Sequence, residues 1–283
     1  MTDEAVFLRD GRLFVPTRSA VSPWGDNLLH GGPPAALLAW AIEGVLAGPE
    51  FQVSRLTVDL LRPVPRAPLE AVAESIRSGN RLQVIEARLL ASGELVAKAS
   101  ALALRQSGVV GSPDSRSIRA LPGPETATEP WQAGPRPGAT ADDSPPRAGF
   151  HIAVDARRLL DPQGGSVAMW VRIPLPLILG EPTSPLMRAA ATSDFVNAFS
   201  SFRRRSPPEE GGARPQRPAT AGSGSINADS TLYLHRMPEG EWLALEAERI
   251  FEPHGVGVSW ATMHDQRGPV GRVMQATLAN SRR

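Results

Sequence analysis

Apolar residues along this chain fall into many short strand-like runs broken by turn residues, and into two longer Ala-rich runs with helical character. Ala5–Pro16 predicts a short hairpin, AVFL and LFVP flanking a turn at Arg9–Arg12. Ser22–Leu29 reads as loop. Gly31 and Gly32 lead into PPAALLAWAIEGVL (Pro33–Leu46), which is apolar nearly all round up to Glu43. That predicts a buried helix with Pro in its opening turn, where the amides have no helical partner anyway. Four strands follow, near Gln52–Arg62, Leu69–Ser78, Arg81–Leu90 and Leu95–Gln106, with turns at Asn80 and Gly93.

Gln106–Gly149 is dense in Pro, Gly, Ser and Thr and reads as a linker lying loosely on the surface. Strands are then predicted at Phe150–Arg158 and Ser166–Ile173. Ser184 is a suitable N-cap and Pro185 a suitable first residue for a helix through LMRAAATSDFVNAFSSF (Leu186–Phe202). Arg203–Gly224 is low in complexity and rich in Pro, Gly and charge, which predicts a mobile, solvated insertion. Loop closure entropy grows only with the logarithm of length, so such an insertion costs little.

The pattern occurs twice. Thr57–Leu104 and Thr231–Leu278 each run strand, Arg-Pro-type turn, strand, strand, Gly-containing hairpin, strand, and a helix precedes each copy. The spacing from Arg62 to Gly93 matches that from Arg236 to Gly268 within one residue. Helix then antiparallel sheet is an α+β pattern. A long apolar helix wrapped by a curled antiparallel sheet is a hotdog unit, and two in tandem make a double hotdog. The predicted division is 1–106, a linker at 107–149, and 150–283 carrying the 203–224 insertion. The two repeats should pack their helices antiparallel and join their sheets edge to edge.

Composition narrows the function. Lys and Arg number 30 against 29 Asp and Glu among 283 residues, a formal charge of +1 that argues against nucleic-acid or membrane-surface partners. With no Cys, disulfides and thiolate chemistry are excluded. Met1–Thr17 lacks the basic and apolar regions of a signal peptide, so a cytoplasmic protein is expected. The five His residues have no metal-site spacing, and there is no G-x-S-x-G elbow. No metal or cofactor is expected. Asp194 sits inside an apolar helical stretch, where a carboxylate needs partners or a task. Arg62 and Arg236 read as strand-end turn residues, and His235, which mirrors Leu61, reads as a packing residue.

HGGPPAALLAWAIE (His30–Glu43), LTVDLLRPVP (Leu56–Pro65), AAATSDF (Ala189–Phe195), INADSTLYLHR (Ile226–Arg236), GEW (Gly240–Trp242) and GPVGRVMQ (Gly268–Gln275) together resemble the acyl-CoA thioesterase II family and related double-hotdog thioesterases. The resemblance implies hydrolysis of an acyl-CoA or acyl-carrier thioester and a place in lipid metabolism, while pairing of chains into a homo-oligomer stays open. It implies a water held by an Asp, a hydroxyl residue and a Gln. Those positions fall on Asp194, Asn227 and Gln275, with Asn standing where the family usually has Thr or Ser. Asp194 would orient and deprotonate the water while Gln275 and Asn227 hold it. Gly31 and Gly32, with His30 beside them, would face the substrate carbonyl, although Pro33 and Pro34 remove two amide donors from that turn. Two other readings stay open. One is an acyl-binding protein without hydrolysis. The other is a hotdog hydratase or dehydratase, which would pair Asp with His, and no such motif is visible in the sequence.

Overall fold

The computed structural model describes residues 3–108, 120–127, 129–130, 148–161, 166–201 and 225–279. At the amino terminus, β1 (Phe7–Asp10) and β2 (Leu13–Pro16) form the expected hairpin. Gly11 turns it with φ 58°, a conformation that suits glycine. The segment read as loop forms a second small hairpin, β3 (Val21–Ser22) with β4 (Gly25–Leu29). Its support is tertiary: the Leu29 amide bonds to Val64 O at 2.9 Å.

Helix α1 (Gly32–Val45) is buried through most of its length, as its all-round apolar character requires. Leu37, Leu38 and Ile42 are 0% exposed. Each such side chain contributes about 1.5–3 kcal/mol. Strands β5 (Phe51–Leu60), β6 (Leu69–Ser78), β7 (Leu82–Ala91) and β8 (Glu94–Arg105) follow within two residues of the predicted bounds.

Between the repeats lies the short β9 (Glu129–Pro130). The described part of the linker is mostly exposed, but two of its residues are packed. Leu121 and Ala127 join Leu159, Ala168, Trp170 and Ala244 in a small apolar cluster, and Trp170 Nε1 donates to Pro122 O at 2.9 Å. The 203–224 insertion lies outside the described residues, as does most of the linker.

The predicted strand at Phe150 starts late. Phe150–Ala153 is a helical turn, α2, and β10 (Asp155–Leu160) comes after it. The turn is closed by bonds from Ile152 and Ala153 to Gly149 O, and it buries Phe150 and His151. β11 (Ser166–Arg172) matches its prediction. Ser184 caps α3 (Pro185–Ser193) by accepting from the Met187 amide at 3.1 Å. The predicted long helix then breaks at Asp194, and only a short α4 (Val196–Phe199) continues. Ser193 turns its hydroxyl back on Ala190 O, as Ser side chains in helices do when they compete with the backbone. The last strands are β12 (Ser225–Asn227), β13 (Asp229–Leu234), β14 (Trp242–Phe251), β15 (Val256–Asp265) and β16 (Gly268–Ala279).

One antiparallel sheet carries the whole arrangement, in the order β1-β2-β6-β7-β8-β5-β13-β16-β15-β14-β11-β10-β9 among the described residues, with β12 on β16. The run β6-β7-β8-β5 is the mirror in order of β13-β16-β15-β14, so the two repeats join edge to edge through β5 and β13. Thr57 pairs with Thr231, the equivalent residue of the other copy, and their hydroxyls lie 3.2 Å apart. A pseudo-twofold axis therefore passes through this pair. On one face of the sheet α1 packs against α3. Gly32 at the start of α1 lies beside Ala191 at the end of α3, and Glu43 near the end of α1 meets Ser184 at the start of α3. The helices are antiparallel, and a single apolar core runs through both repeats.

The Arg-Pro turns are structural. Arg62 pairs with Glu94 across the β7–β8 hairpin, and Arg236 grips Asp265 with two bonds of 2.5 and 2.6 Å on the β15–β16 hairpin. His235 does not pack but is exposed, like Leu61, its counterpart.

Candidate active site

Antiparallel packing brings the amino-terminal turn of α1 against the carboxy-terminal end of α3, and this is where the polar candidates meet. Asp194 is the C-cap residue of α3, its side chain 11% exposed. Its Oδ1 accepts from Asn227 Nδ2 at 2.7 Å, and its Oδ2 lies 2.9 Å from His30 Nδ1. Burial alone would raise the pKa of this carboxyl. The charge and hydrogen bond of His30, then the bonds from Asn227 and the Gly32 amide, outweigh it and hold Asp194 below the usual carboxylate range. A carboxylate at the start of α1 is also favoured by the helix dipole.

Glycine at 31 and 32 is required by close approach. A Cβ on Gly31 would lie 2.6 Å from Asp194 Oδ1, and one on Gly32 would lie 2.6 Å from Ala191 O. These glycines admit the neighbouring helix and its carboxylate. The Gly32 amide is already committed, lying 3.2 Å from His30 Nδ1 and bonding Asp194. Pro33 and Pro34 have no amide proton, so the Gly31 N–H is the donor this turn still has uncommitted among the described residues.

Gln275 stands on β16, 1% exposed, with its amide turned to the backbone on both sides of Asp194. Its Nε2 donates to Ser193 O at 3.0 Å, and its Oε1 accepts from the Asn197 amide at 3.0 Å. It therefore braces the break between α3 and α4 that presents Asp194. The structure thus brings Asp194, Asn227, His30, Gly31 and Gly32 into direct contact, with Gln275 one layer behind.

The pairing of His30 with Asp194 was not foreseen, since 164 residues separate the two. The one available signal was geometric: antiparallel helices in a tandem repeat must place the start of one beside the end of the other. Around this pair sit Phe195 and Phe150, with ring centres 4.8 and 5.3 Å from His30. His151 is 5% exposed with no hydrogen-bond partner on either ring nitrogen. Burial, then the nearby His30, pushes its pKa down to about 4, so it is neutral at physiological pH. Among the described residues no three His, Cys, Asp or Glu side chains converge as metal ligands would.

The opposite end of the helix pair is not equivalent. There Glu43 accepts from Ser184 Oγ at 2.6 Å, and burial raises its pKa despite that bond. The repeat positions matching Asn227 and Gln275 are Val53 and Ala101, both buried and apolar. Only one end of the pseudo-dimer carries the polar set.

The fold recurs among known proteins. Solved structures with the same fold include a tesB protein from Mycobacterium avium subs paratuberculosis (16% identity, 96% of this chain and 94% of that chain, TM-score 0.61). Acyl-CoA thioesterase II TesB2 from Mycobacterium marinum matches over 89% and 90% of the two chains at 19% identity and TM-score 0.57. A protein of unknown function with a hot dog fold from Alicyclobacillus acidocaldarius matches over 99% and 98% at 18% identity and TM-score 0.64. The fold is of the hotdog type. No curated protein matches the chain. Residues 20–106 match the Acyl-CoA thioesterase N-terminal domain, and residues 123–279 match the Acyl-CoA thioesterase C-terminal domain. The chain belongs to the acyl-CoA thioesterase family and is a thioester hydrolase.

Proposed function

We propose that the chain is a double-hotdog enzyme that hydrolyses an acyl-CoA or acyl-carrier thioester to the free acid and thiol at the Asp194–His30–Asn227 junction. Its two hotdog units would comprise 1–106 and 150–283, joined by 107–149. The observation that carries the reading is the Asp194 carboxylate, held ionised in a nearly closed setting by groups from both repeats. Buried charge of this kind is costly unless paired, and perturbed carboxylates of this kind cluster at functional sites. The Asp194 carboxylate, braced by Asn227, would anchor the groups that activate the attacking water. The Gly31 N–H, at the positive end of α1, would receive the developing oxyanion. Gln275 would fix the α3–α4 break from behind. The polar set at one end only supports one active site per chain.

The test is thiol release from a panel of acyl-CoAs and carrier-bound acyl groups, with the acid product identified. Release of one thiol per free acid is expected. Tight binding without release would replace this reading by an acyl-binding protein. The hydratase reading gains support from the His30–Asp194 pair, which can shuttle a proton to either face of a double bond. Loss of enoyl-CoA absorbance without thiol release would favour it over hydrolysis.

A further inference from the structure

Asp194 is an unsuitable base for the water, for two reasons visible in its contacts. Both its oxygens are already engaged, Oδ1 by Asn227 and Oδ2 by His30, with the Gly32 amide adding a further bond. Those same contacts stabilise the carboxylate and so weaken its pull on a proton. His30 has the opposite character. The Gly32 N–H points at its Nδ1, 3.2 Å from the amide nitrogen, and an Asp194 oxygen lies closer to the same atom, at 2.9 Å. An unprotonated Nδ1 would set its lone pair against the carboxylate. A protonated Nδ1 cannot also accept the Gly32 N–H, so the closer, charged contact decides: the proton sits on Nδ1 and points at Asp194, and the Gly32 amide serves the carboxylate, which it also bonds. That tautomer puts the free lone pair on Nε2. Nε2 has no hydrogen-bond partner among the described residues, and it is not one of the sealed buried nitrogens. The ring packs at a tilt against Phe195 and Phe150, which also stack on each other.

We infer that His30 Nε2 takes the proton from the attacking water, with Asp194 acting on the imidazole as its orienter and counter-charge. The inference rests on the thioesterase reading above. In the first step a water O–H bond breaks, its proton goes to Nε2, the water oxygen bonds to the thioester carbonyl carbon, and the C=O π pair moves onto the carbonyl oxygen as the oxyanion, to return when the C–S bond breaks. In the second step the C–S bond breaks, the electron pair stays on sulfur, and the Nε2 proton passes to the leaving thiolate. One water is consumed, and one acid and one thiol are released. The imidazolium formed in between is paired with Asp194, as in other carboxylate–imidazole catalysts. The titratable groups facing the ring are Asp194 at the end of α3 and His151 of α2, while β12 and the first turn of α1 contribute only uncharged groups. His151, neutral down to about pH 4, does not compete for the proton.

The test compares His30→Asn with the parent. Asn keeps an N–H near the Nδ1 position for Asp194 and removes Nε2. kcat should fall by about 10²–10⁴, the usual worth of a positioned base. KM should change little, and the acid limb of the kcat/KM profile should vanish. Nitrogen-15 NMR of the folded parent, assigned by the signal lost in the variant or in His30→Gln, should place the His30 proton on Nδ1 at neutral pH. A parent that hydrolyses thioesters while His30→Asn matches its rate and pH profile overturns this role and leaves the thioesterase reading standing. A His30 proton on Nε2 in the parent overturns it even if the variants do not fold. A parent that releases no thiol from any substrate overturns both.

Discussion

His151 offers a sharp test of the electrostatics beside the candidate site. The ring is 5% exposed and neither nitrogen has a partner among the described residues, so its charged form is disfavoured and its pKa falls from 6.5 to about 4. The folded value lies below the unfolded one. Between these two values the unfolded chain binds a proton that the folded chain does not, so stability falls as pH drops from about 6.5 to about 4. At about 1.4 kcal/mol per pH unit, the window costs the fold about 3 kcal/mol in full. His151→Leu removes that cost. At neutral pH the variant should be as stable as the parent or slightly more so, because a buried ring with two unsatisfied nitrogens has been replaced by an apolar group. Reversible urea unfolding of both proteins, in steps from neutral pH to about pH 4, gives the difference directly. All other acid-titrating groups are common to the pair. The parent should lose about 3 kcal/mol more than the variant across the window. Equal losses in both would refute the reasoning and show that His151 is charged or hydrated in the fold.

Two further changes probe the frame around Asp194. Gln275→Leu should destabilise the protein by about 2–4 kcal/mol in thermal or urea unfolding, because it strands the buried Ser193 O and Asn197 N–H. A change within about 0.5 kcal/mol, typical of a surface position, would show that Gln275 is no brace. Gly31→Ala sets a methyl 2.6 Å from Asp194 Oδ1, so it should displace the carboxylate and lower kcat steeply while the unfolding midpoint moves less. Unchanged kcat in that variant would mean that the position of Asp194 does not matter to turnover.

Much of the frame could be read from local signals. The turns at Asn80 and Gly93 and the Ser184-Pro185 cap set element boundaries by short-range chemistry, and the structure follows them. The repeat carried further than its own elements. Matching Thr57 to Thr231 predicted an edge-to-edge join, and those two residues turn out to be the pair on the pseudo-twofold axis. Features fixed by distant contacts were not legible. Phe150–Ala153 looks like a strand by composition but coils to bury Phe150 against His30 and Phe195. The Leu186–Phe202 run has no strong helix breaker, yet it ends at Asp194, where Gln275 from the last strand satisfies the backbone on both sides. The family likeness pointed to Asp194, Asn227 and Gln275. It set His30 beside the substrate carbonyl but not against Asp194, because that pairing depends on which helix end faces it.

The most direct test of the account is the turnover of Asp194→Asn on the best acyl-CoA substrate, followed by thiol release. Asn fills the same space but removes the charge that holds the His30 tautomer. The account predicts a folded protein, with an unfolding transition close to the parent's, whose kcat is lower by about 10²–10⁴. An Asp194→Asn variant that releases thiol at the parent rate would contradict it and move the chemistry away from the junction of the two helices.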